Sequence, residues 1–348
     1  MPSLRHLLPA TLLGVALAAA QDLGGLQDKA ILPSDTLPTE LSLERPFGLD
    51  RADPLTVAPS TELIALGRQL FFDPLLSTDS TVACASCHQP AYGFADPNPL
   101  SIGIHGQRTL RNSPSLLNRS LGEHFMWDGS AGTLEEQVLM PMANPLEMGT
   151  SADLAVERLN ASKEYSAAFE AVTGAAPKLD SLASALASFI RTLHLGDSPV
   201  DRFRAGQADQ LTEEERAGLW LYESRGRCWR CHSGPNFTDE SFHNTGVGAQ
   251  GGQPEEGRFG FTADEADRGK FKTPTLRGLA QTGPYMHDGS LETLEDVVRF
   301  YRDGGHANAS LSEFVSPITF SDRDVTNLAA LLRALSREAT GKPPAAKE

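Results

Sequence analysis

Two short segments stand out by their chemistry. Cys84-Ala85-Ser86-Cys87-His88 and Cys228-Trp229-Arg230-Cys231-His232 contain all four cysteines of the 348-residue chain, each pair followed at once by histidine. Thiols two residues apart can add across the two vinyl groups of one porphyrin, and the histidine then sets an imidazole under the iron. Each segment therefore reads as a covalent attachment site for one haem c. A zinc ribbon would hold its two cysteine pairs about 15–20 residues apart, far closer than here. A thioredoxin-like redox pair would need a βα pattern, and none surrounds either site.

The rest of the chain agrees with exported haem chemistry. Arg5 and His6 precede an apolar run from Leu7 to Ala20, and Ala18-Ala19-Ala20 before Gln21-Asp22 forms a small-residue cleavage site. The run falls short of the about 20 residues that span a bilayer, so cleavage near Ala20, export to a periplasm and no stable membrane insertion are expected. The formal net charge of −15 disfavours nucleic acid and anionic membrane as partners and favours solubility or a basic protein partner.

The elements that must position the two sites are helical. Thr61 to Phe72 carries the Leu63, Leu66, Leu70 spacing of an amphipathic helix. Thr133-x-x-Glu136, Thr212-x-x-Glu215 and Thr293-x-x-Asp296 read as capping-box starts. Further helices are expected over 151–160, 163–173, 179–195 and 321–336, with strand patterns almost absent. The Gly- and acid-rich stretch from Thr245 to Lys270 reads as a long surface loop.

An internal echo points to duplication. Phe125-Met126-Trp127-Asp128-Gly129-Ser130 followed by Thr133-Leu134-Glu135 matches Tyr285-Met286-His287-Asp288-Gly289-Ser290 followed by Thr293-Leu294-Glu295, and RNSPSLLN (111–118) echoes KTPTLRG (272–278). The expected plan is a mainly α protein: a signal peptide over 1–20, an extended lead-in over 21–60, an N-terminal cytochrome c-like domain over 61–195, a linker over 196–211 and a C-terminal cytochrome c-like domain over 212–340. Each domain surrounds one haem.

Two haems alone would describe an electron carrier. An enzyme also needs an iron with an openable position and polar groups able to cleave an O–O bond. Several acids and amides lie between the motifs, and spacing does not choose among them.

The segments GRQLFFDPLLS, CASCH, RNSPSLLN, MWDGS, LEEQ, NPLEMG, CWRCH, FHNTG, FKTPTLRG, GPYMHDGSLETLEDVV and FYRDGG together resemble the bacterial di-haem cytochrome c peroxidase and MauG family, from about Leu63 to Leu335. The resemblance implies a peroxide-reacting first haem on His88 and an electron-transfer haem on His232. It matches Glu147 to the family's distal acid–base glutamate, Gln137 to the distal glutamine, and sets Pro141 beside them. A carboxylate can take a proton from one peroxide oxygen and return it to the other, while an amide holds the developing hydroxide.

Further roles follow from the same resemblance. Trp127 matches the tryptophan that relays electrons between the haems. Asn112, Thr282 and Pro284 match positions whose oxygens bind calcium between the domains, hard donors of the kind that ion prefers. Tyr301 stands where many family peroxidases carry the methionine ligand of the second haem and where MauG has tyrosine. It is preferred to Met286, which belongs to the repeated segment. His105 falls close to a histidine that caps the first haem in many family peroxidases; a capped haem and an open one both remain possible here. His124, His243, His287 and His306 read as loop or packing residues. The implied activity is reduction of hydrogen peroxide to water with electrons from a small cytochrome c or cupredoxin. The alternatives are a MauG-like oxidation of residues in a partner protein and a non-catalytic electron-transfer cytochrome. A homodimer is compatible with the resemblance but not required by it.

Overall fold

A computed structural model describes residues 43, 45–49 and 58–341. The expected signal peptide and most of the lead-in lie outside them. Among the described residues no helix is long and apolar enough to cross a membrane.

The longer helices are α1 (Thr61–Phe72), α2 (Ala152–Ala161), α3 (Lys163–Thr173), α4 (Leu179–Ile190), α5 (Pro199–Arg204), α6 (Glu213–Glu223), α7 (Leu294–Arg302) and α8 (Asp322–Ala334). The start signals read in the sequence act as caps. Ser60 accepts the Leu63 N–H, Thr212 forms a full box with Glu215, and Ser321 does so with Asp324. At Thr293 the hydroxyl accepts the Asp296 N–H, capping α7. The strand content described is one antiparallel pair of two-residue strands, β1 (Phe242–His243) and β2 (Phe271–Lys272). The fold is mainly helical.

Two apolar cores form. The first gathers Leu66, Leu70 and Phe71 of α1 with Leu182, Leu186 and Phe189 of α4. The second gathers Leu219 and Tyr222 of α6 with Leu328, Leu331 and Leu332 of α8. Each core depends on a glycine at a helix crossing. A Cβ at Gly67 would overlap the Ala185 carbonyl oxygen, and one at Gly218 would overlap that of Asn327. Both halves thus bring their first and last helices into backbone contact by the same device.

The repeat read in the sequence is a repeat in space. Phe125 bridges Ala131 and Tyr285 bridges Leu291. Met126 and Met286 hold φ of +64° and +73°, and Gly129 and Gly289 hold +72° and +66°. Asp128 and Asp288 each accept the N–H two residues on.

Two connecting segments carry structure of their own. The 196–211 stretch contains α5, and Val200 is buried in the second core. Asp201 of α5 accepts a two-point ion pair from buried Arg277, at 2.7 and 2.8 Å. Ser198, Pro199 and Asp201 form a helix start, so the connection is ordered. The 245–270 loop also folds back on itself, with Gly257 bridging Arg268 and a helical turn at Phe259–Thr262. Its Arg258 lies 3.9 Å above the Phe242 ring and donates to the Asp128 carbonyl. Cation–π contact and hydrogen bonding replace the apolar packing this composition lacks.

Candidate haem-binding and catalytic site

The first attachment segment is a single helical turn, Cys84–Cys87, closed by the His88 N–H to the Cys84 carbonyl at 3.0 Å. His88 Nδ1 lies 3.0 Å from the Phe94 carbonyl. That carbonyl is presented by a reversal in which Gly93 and Phe94 both take positive φ. A carbonyl only accepts, so Nδ1 carries the proton and Nε2 is the atom left for a metal. Burial lowers the imidazole pKa despite the opposing pull of the Phe94 carbonyl, which keeps the ring neutral as ligation requires.

The second segment repeats this arrangement. Cys228–Arg230 forms a 3₁₀ turn, the His232 N–H reaches the Cys228 carbonyl at 2.9 Å, and Nδ1 lies 3.1 Å from the carbonyl of Phe237, again at positive φ. The Tyr222 hydroxyl donates to the His232 carbonyl. All four cysteines are free thiols, and burial pushes Cys84, Cys87 and Cys228 up to about 12. Two shielded, unpaired thiols beside an imidazole with a free Nε2, twice over, fit two covalently bound haems.

On the first side, Glu147 and its neighbour Met148 are held by three hydrogen bonds. The Asn144 Nδ2 donates to the Glu147 Oε1 at 2.7 Å, the Ile104 N–H donates to the Glu147 carbonyl at 2.9 Å, and the Thr78 N–H donates to the Met148 carbonyl at 2.9 Å. Gly103 is pressed so closely on the Leu146 and Glu147 carbonyls that a Cβ would overlap them. Burial raises the carboxyl pKa, partly countered by the Asn144 hydrogen bond. Glu147 is also near enough for its charge to raise the Cys87 thiol pKa, which ties it to the first attachment site. Gln137, half-buried at the end of the Leu134–Gln137 turn, points its Nε2 at the Met126 sulfur 3.9 Å away. Pro141 opens the Met140–Ala143 turn that leads to Asn144. His105 is largely exposed, at 61% of its side chain, with Nδ1 3.4 Å from the Asp79 carboxylate.

Between the halves, the Trp127 Nε1 donates to the Asn112 carbonyl at 2.8 Å, and its ring meets His287 edge-on at 6.3 Å. His287 holds the place in the second repeat that Trp127 holds in the first. It stacks on Phe271 at 3.6 Å and pairs with Glu255 at 2.6 Å. Buried Asn112 spends its Nδ2 on the Asn98 and Pro99 carbonyls, and its N–H bonds the His287 carbonyl. This joins Asn112 to the turn that follows Thr282 and Pro284. Asn112, Thr282 and Pro284 would offer neutral oxygens to a cation, the hard donors that calcium prefers.

Tyr301 lies on α7 among the groups of the second site. Burial and then the Cys231 charge push its phenol up to about 12, against a hydrogen bond with Thr245. Met286 sits at the positive-φ corner of the repeated turn, as Met126 does in the other half. His243 pairs with Asp239 at 3.0 Å and lies with it beside Cys231; since Cys231 belongs to the second Cys-x-x-Cys-His segment, this trio is part of the second site. His124 lies against Phe242, and His306 against Phe300.

Sequence reasoning missed Asn144, the glycines Gly67 and Gly218, and Glu240. The Glu240 carboxylate is buried between the halves, taking both Arg119 Nη atoms at 3.0 and 3.2 Å and the Lys272 Nζ at 3.4 Å. Asn144 could have been found from its place three residues before Glu147. The other three have no local signal, because their partners are remote in the chain.

Comparison with known proteins agrees with this geometry. The family model described as di-haem cytochrome c peroxidase matches residues 61–209. The methylamine utilization protein MauG of Methylorubrum extorquens is 40% identical over 290 residues, covering 83% of this chain and 81% of that one. The cytochrome-c peroxidase IdrP2 of Denitromonas iodatirespirans is 34% identical, covering 83% and 85%. Among solved structures, a MauG-like protein associated with microbial copper homeostasis superposes with a TM-score of 0.76 at 33% identity, covering 88% of this chain and 96% of that one.

Proposed function

The chain belongs to the di-haem cytochrome c peroxidase family, and from that premise we propose that it reduces hydrogen peroxide to water with electrons from a small redox protein. Membership makes it a haem peroxidase oxidoreductase carrying two haem c groups. The observation that carries the reading is Glu147, a half-buried carboxyl with a raised pKa, aimed by Asn144 and coupled to Cys87.

When bound, the first haem supplies the iron to which peroxide binds, and the second supplies electrons to it. The chain's residues do the rest. His88 and His232 each offer Nε2, their tautomer fixed by the Phe94 and Phe237 carbonyls. Glu147 takes the proton from one peroxide oxygen and returns it to the other, for which a pKa drawn toward neutrality is suited. The Gln137 amide donates to the leaving hydroxide. Trp127, oriented by the Asn112 carbonyl, lies on the electron path. Two electrons and two protons convert each peroxide to two waters. Tyr301 would hold the electron-transfer haem together with His232, His88 would hold the first haem while His105 pairs with Asp79, and Asn112, Thr282 and Pro284 would hold calcium. The protein acts in the periplasm after cleavage near Ala20, a reading supported by the N-terminal segment alone.

Replacing Glu147 by Gln tests the core of this reading. The variant should bind two haems and lose reaction with peroxide; unchanged peroxide reactivity would refute the assignment. A MauG-like oxidation of a partner protein is supported equally by the relatives and by Tyr301. Steady-state turnover separates the two: rapid peroxide consumption with a reduced redox protein supports the peroxidase, and negligible turnover the alternative.

A further inference from the structure

A buried amine lies between the two halves. Lys272 of β2 is 8% exposed, and its N–H donates to the Trp127 carbonyl at 2.8 Å. In FKTP (271–274) it holds the place that Asn112 holds in RNSP (111–114), and the Asn112 N–H bonds the His287 carbonyl at 2.8 Å. Each half thus bonds the other's repeated turn, and of the two donors only Lys272 is ionisable. The segments around Lys272 reach the second site. The Pro274 carbonyl faces the His232 imidazole, and the Asp239 N–H donates to the Cys231 carbonyl at 2.7 Å.

The charges around this amine do not balance. Nζ lies 3.4 Å from Glu240 Oε1 and 3.2 Å from the Thr273 carbonyl. Glu240 is already met by both Arg119 Nη atoms, at 3.0 and 3.2 Å, and by the N–H groups of Glu123 and His124. Asp239, the other carboxylate that acts on Lys272, is paired with His243 at 3.0 Å. An ammonium here is a surplus positive charge in a buried place, costly until a negative charge arrives or the proton leaves. Burial, and then the Arg119 charge, lowers the amine to about 7, against the pull of Glu240 and Asp239. An electron entering the second site is such a negative charge.

We propose that Lys272 is the proton acceptor coupled to electron transfer between the two halves. One electron leaves the redox partner, which is oxidised, and ferric iron of the second haem becomes ferrous. Nζ takes one proton from solvent as this happens, and the amine becomes an ammonium. When the electron moves on, the iron returns to ferric and Nζ gives the proton up. The interior keeps its net charge through each transfer. The proposal rests on the reading of the second haem as the electron-receiving one.

The experiment is a redox titration of the second haem in the two-haem protein, repeated across acidic, neutral and alkaline pH. The reduced state holds the proton more tightly, so the potential is level at acidic pH and falls as pH rises above about 7. One proton per electron makes reduction up to about tenfold less favourable for each pH unit. Lys272→Met is neutral throughout, and its profile should be level at the alkaline value of the wild type. Lys272→Arg is charged throughout, and its profile should be level at the acidic value. Glu240→Gln removes an anion that favours the ammonium, so the fall should move to lower pH. A purely structural role would shift the potential without abolishing its pH dependence. A level wild-type profile overturns the proposal, as does a fall that survives in Lys272→Met or Lys272→Arg, or one seen at the first haem instead. Should neither lysine variant mature, Glu240→Gln decides, and an unmoved fall overturns it. The titration uses no peroxide. Absent peroxide turnover would defeat the peroxidase reading and leave the coupling standing, whereas a level profile with full turnover would defeat the coupling alone.

Discussion

The Asn144 side chain donates its Nδ2 hydrogen to Glu147 Oε1 at 2.7 Å while its own Oδ1 accepts the Leu146 N–H at 3.0 Å. One amide therefore fixes both the turn and the carboxylate that the turn presents. A hydrogen bond to the charged form favours ionisation, and here it works against burial. Removing it in Asn144→Ala should raise the Glu147 pKa further. A base must be ionised, so the acid limb of the peroxide-reaction pH profile should move to higher pH. The rate near neutrality should fall about tenfold, the equivalent of one charge-assisted hydrogen bond. A pH-independent loss would mean that Asn144 only holds the turn.

Gly67 and Gly218 let α1 meet α4 and α6 meet α8 at backbone contact. Alanine at either would force the helices apart, and overpacking of a core commonly costs about 1–3 kcal/mol. Each of Gly67→Ala and Gly218→Ala should lower the urea midpoint and loosen the haem of its own half. Unfolding followed at the two haem environments would separate these effects. Equal loosening of both haems by either variant would contradict the two-core description.

Helix positions were readable because apolar spacing and caps are local: Thr61–Phe72 and 163–173 were expected and observed over those residues. The attachment motifs were readable because covalent chemistry demands adjacent residues. The expected helix over 179–195 ends at Ile190, after which the chain turns at Thr192 to let the Asn118 N–H reach the Leu193 carbonyl. That stop is imposed by a partner remote in the chain, with no cap in the sequence to announce it. Within the 196–211 linker, Ser198 as N-cap with Pro199 in the first turn starts a helix of six residues, too short to show an apolar period in the sequence. Glu147 could be singled out only by resemblance, since its Asn144 bond and its closeness to Cys87 emerge in three dimensions.

Glu240 links the halves from a buried position. Burial alone would raise its pKa, but the charges of Arg119 and Lys272 and the N–H groups of Glu123 and His124 outweigh it and hold the carboxyl at about 2. A carboxyl depressed in the folded state contributes stability above its unfolded pKa of about 4.3, and that contribution is lost as pH falls toward 2. Glu240→Gln should therefore be clearly less stable than wild type at pH 7. The gap should narrow as the pH is lowered from about 4.5, read from urea midpoints across the range. A gap that stays constant with pH would show that the carboxylate charge does not hold the interface.

Tyr301 gives a prediction about potential rather than rate. Its hydroxyl is shielded beside both second-site thiols and Thr245, on the nine-residue helix α7 that also carries Phe300. As an iron ligand a tyrosine is a hard anionic donor, which favours the ferric state, whereas a methionine thioether favours the ferrous state. Tyr301→Met should raise the reduction potential of the second haem without changing that of the first, because α7 packs into the second core through Leu294 and Val298. Tyr301→Phe, which keeps the ring and removes the donor atom, should convert the oxidised second haem to a different spin state in its EPR spectrum. Met286 offers the rival assignment, and Met286→Leu should leave both measurements unchanged, since its backbone corner at positive φ is structural. If instead Met286→Leu moves the potential and Tyr301→Met does not, the ligand is the methionine.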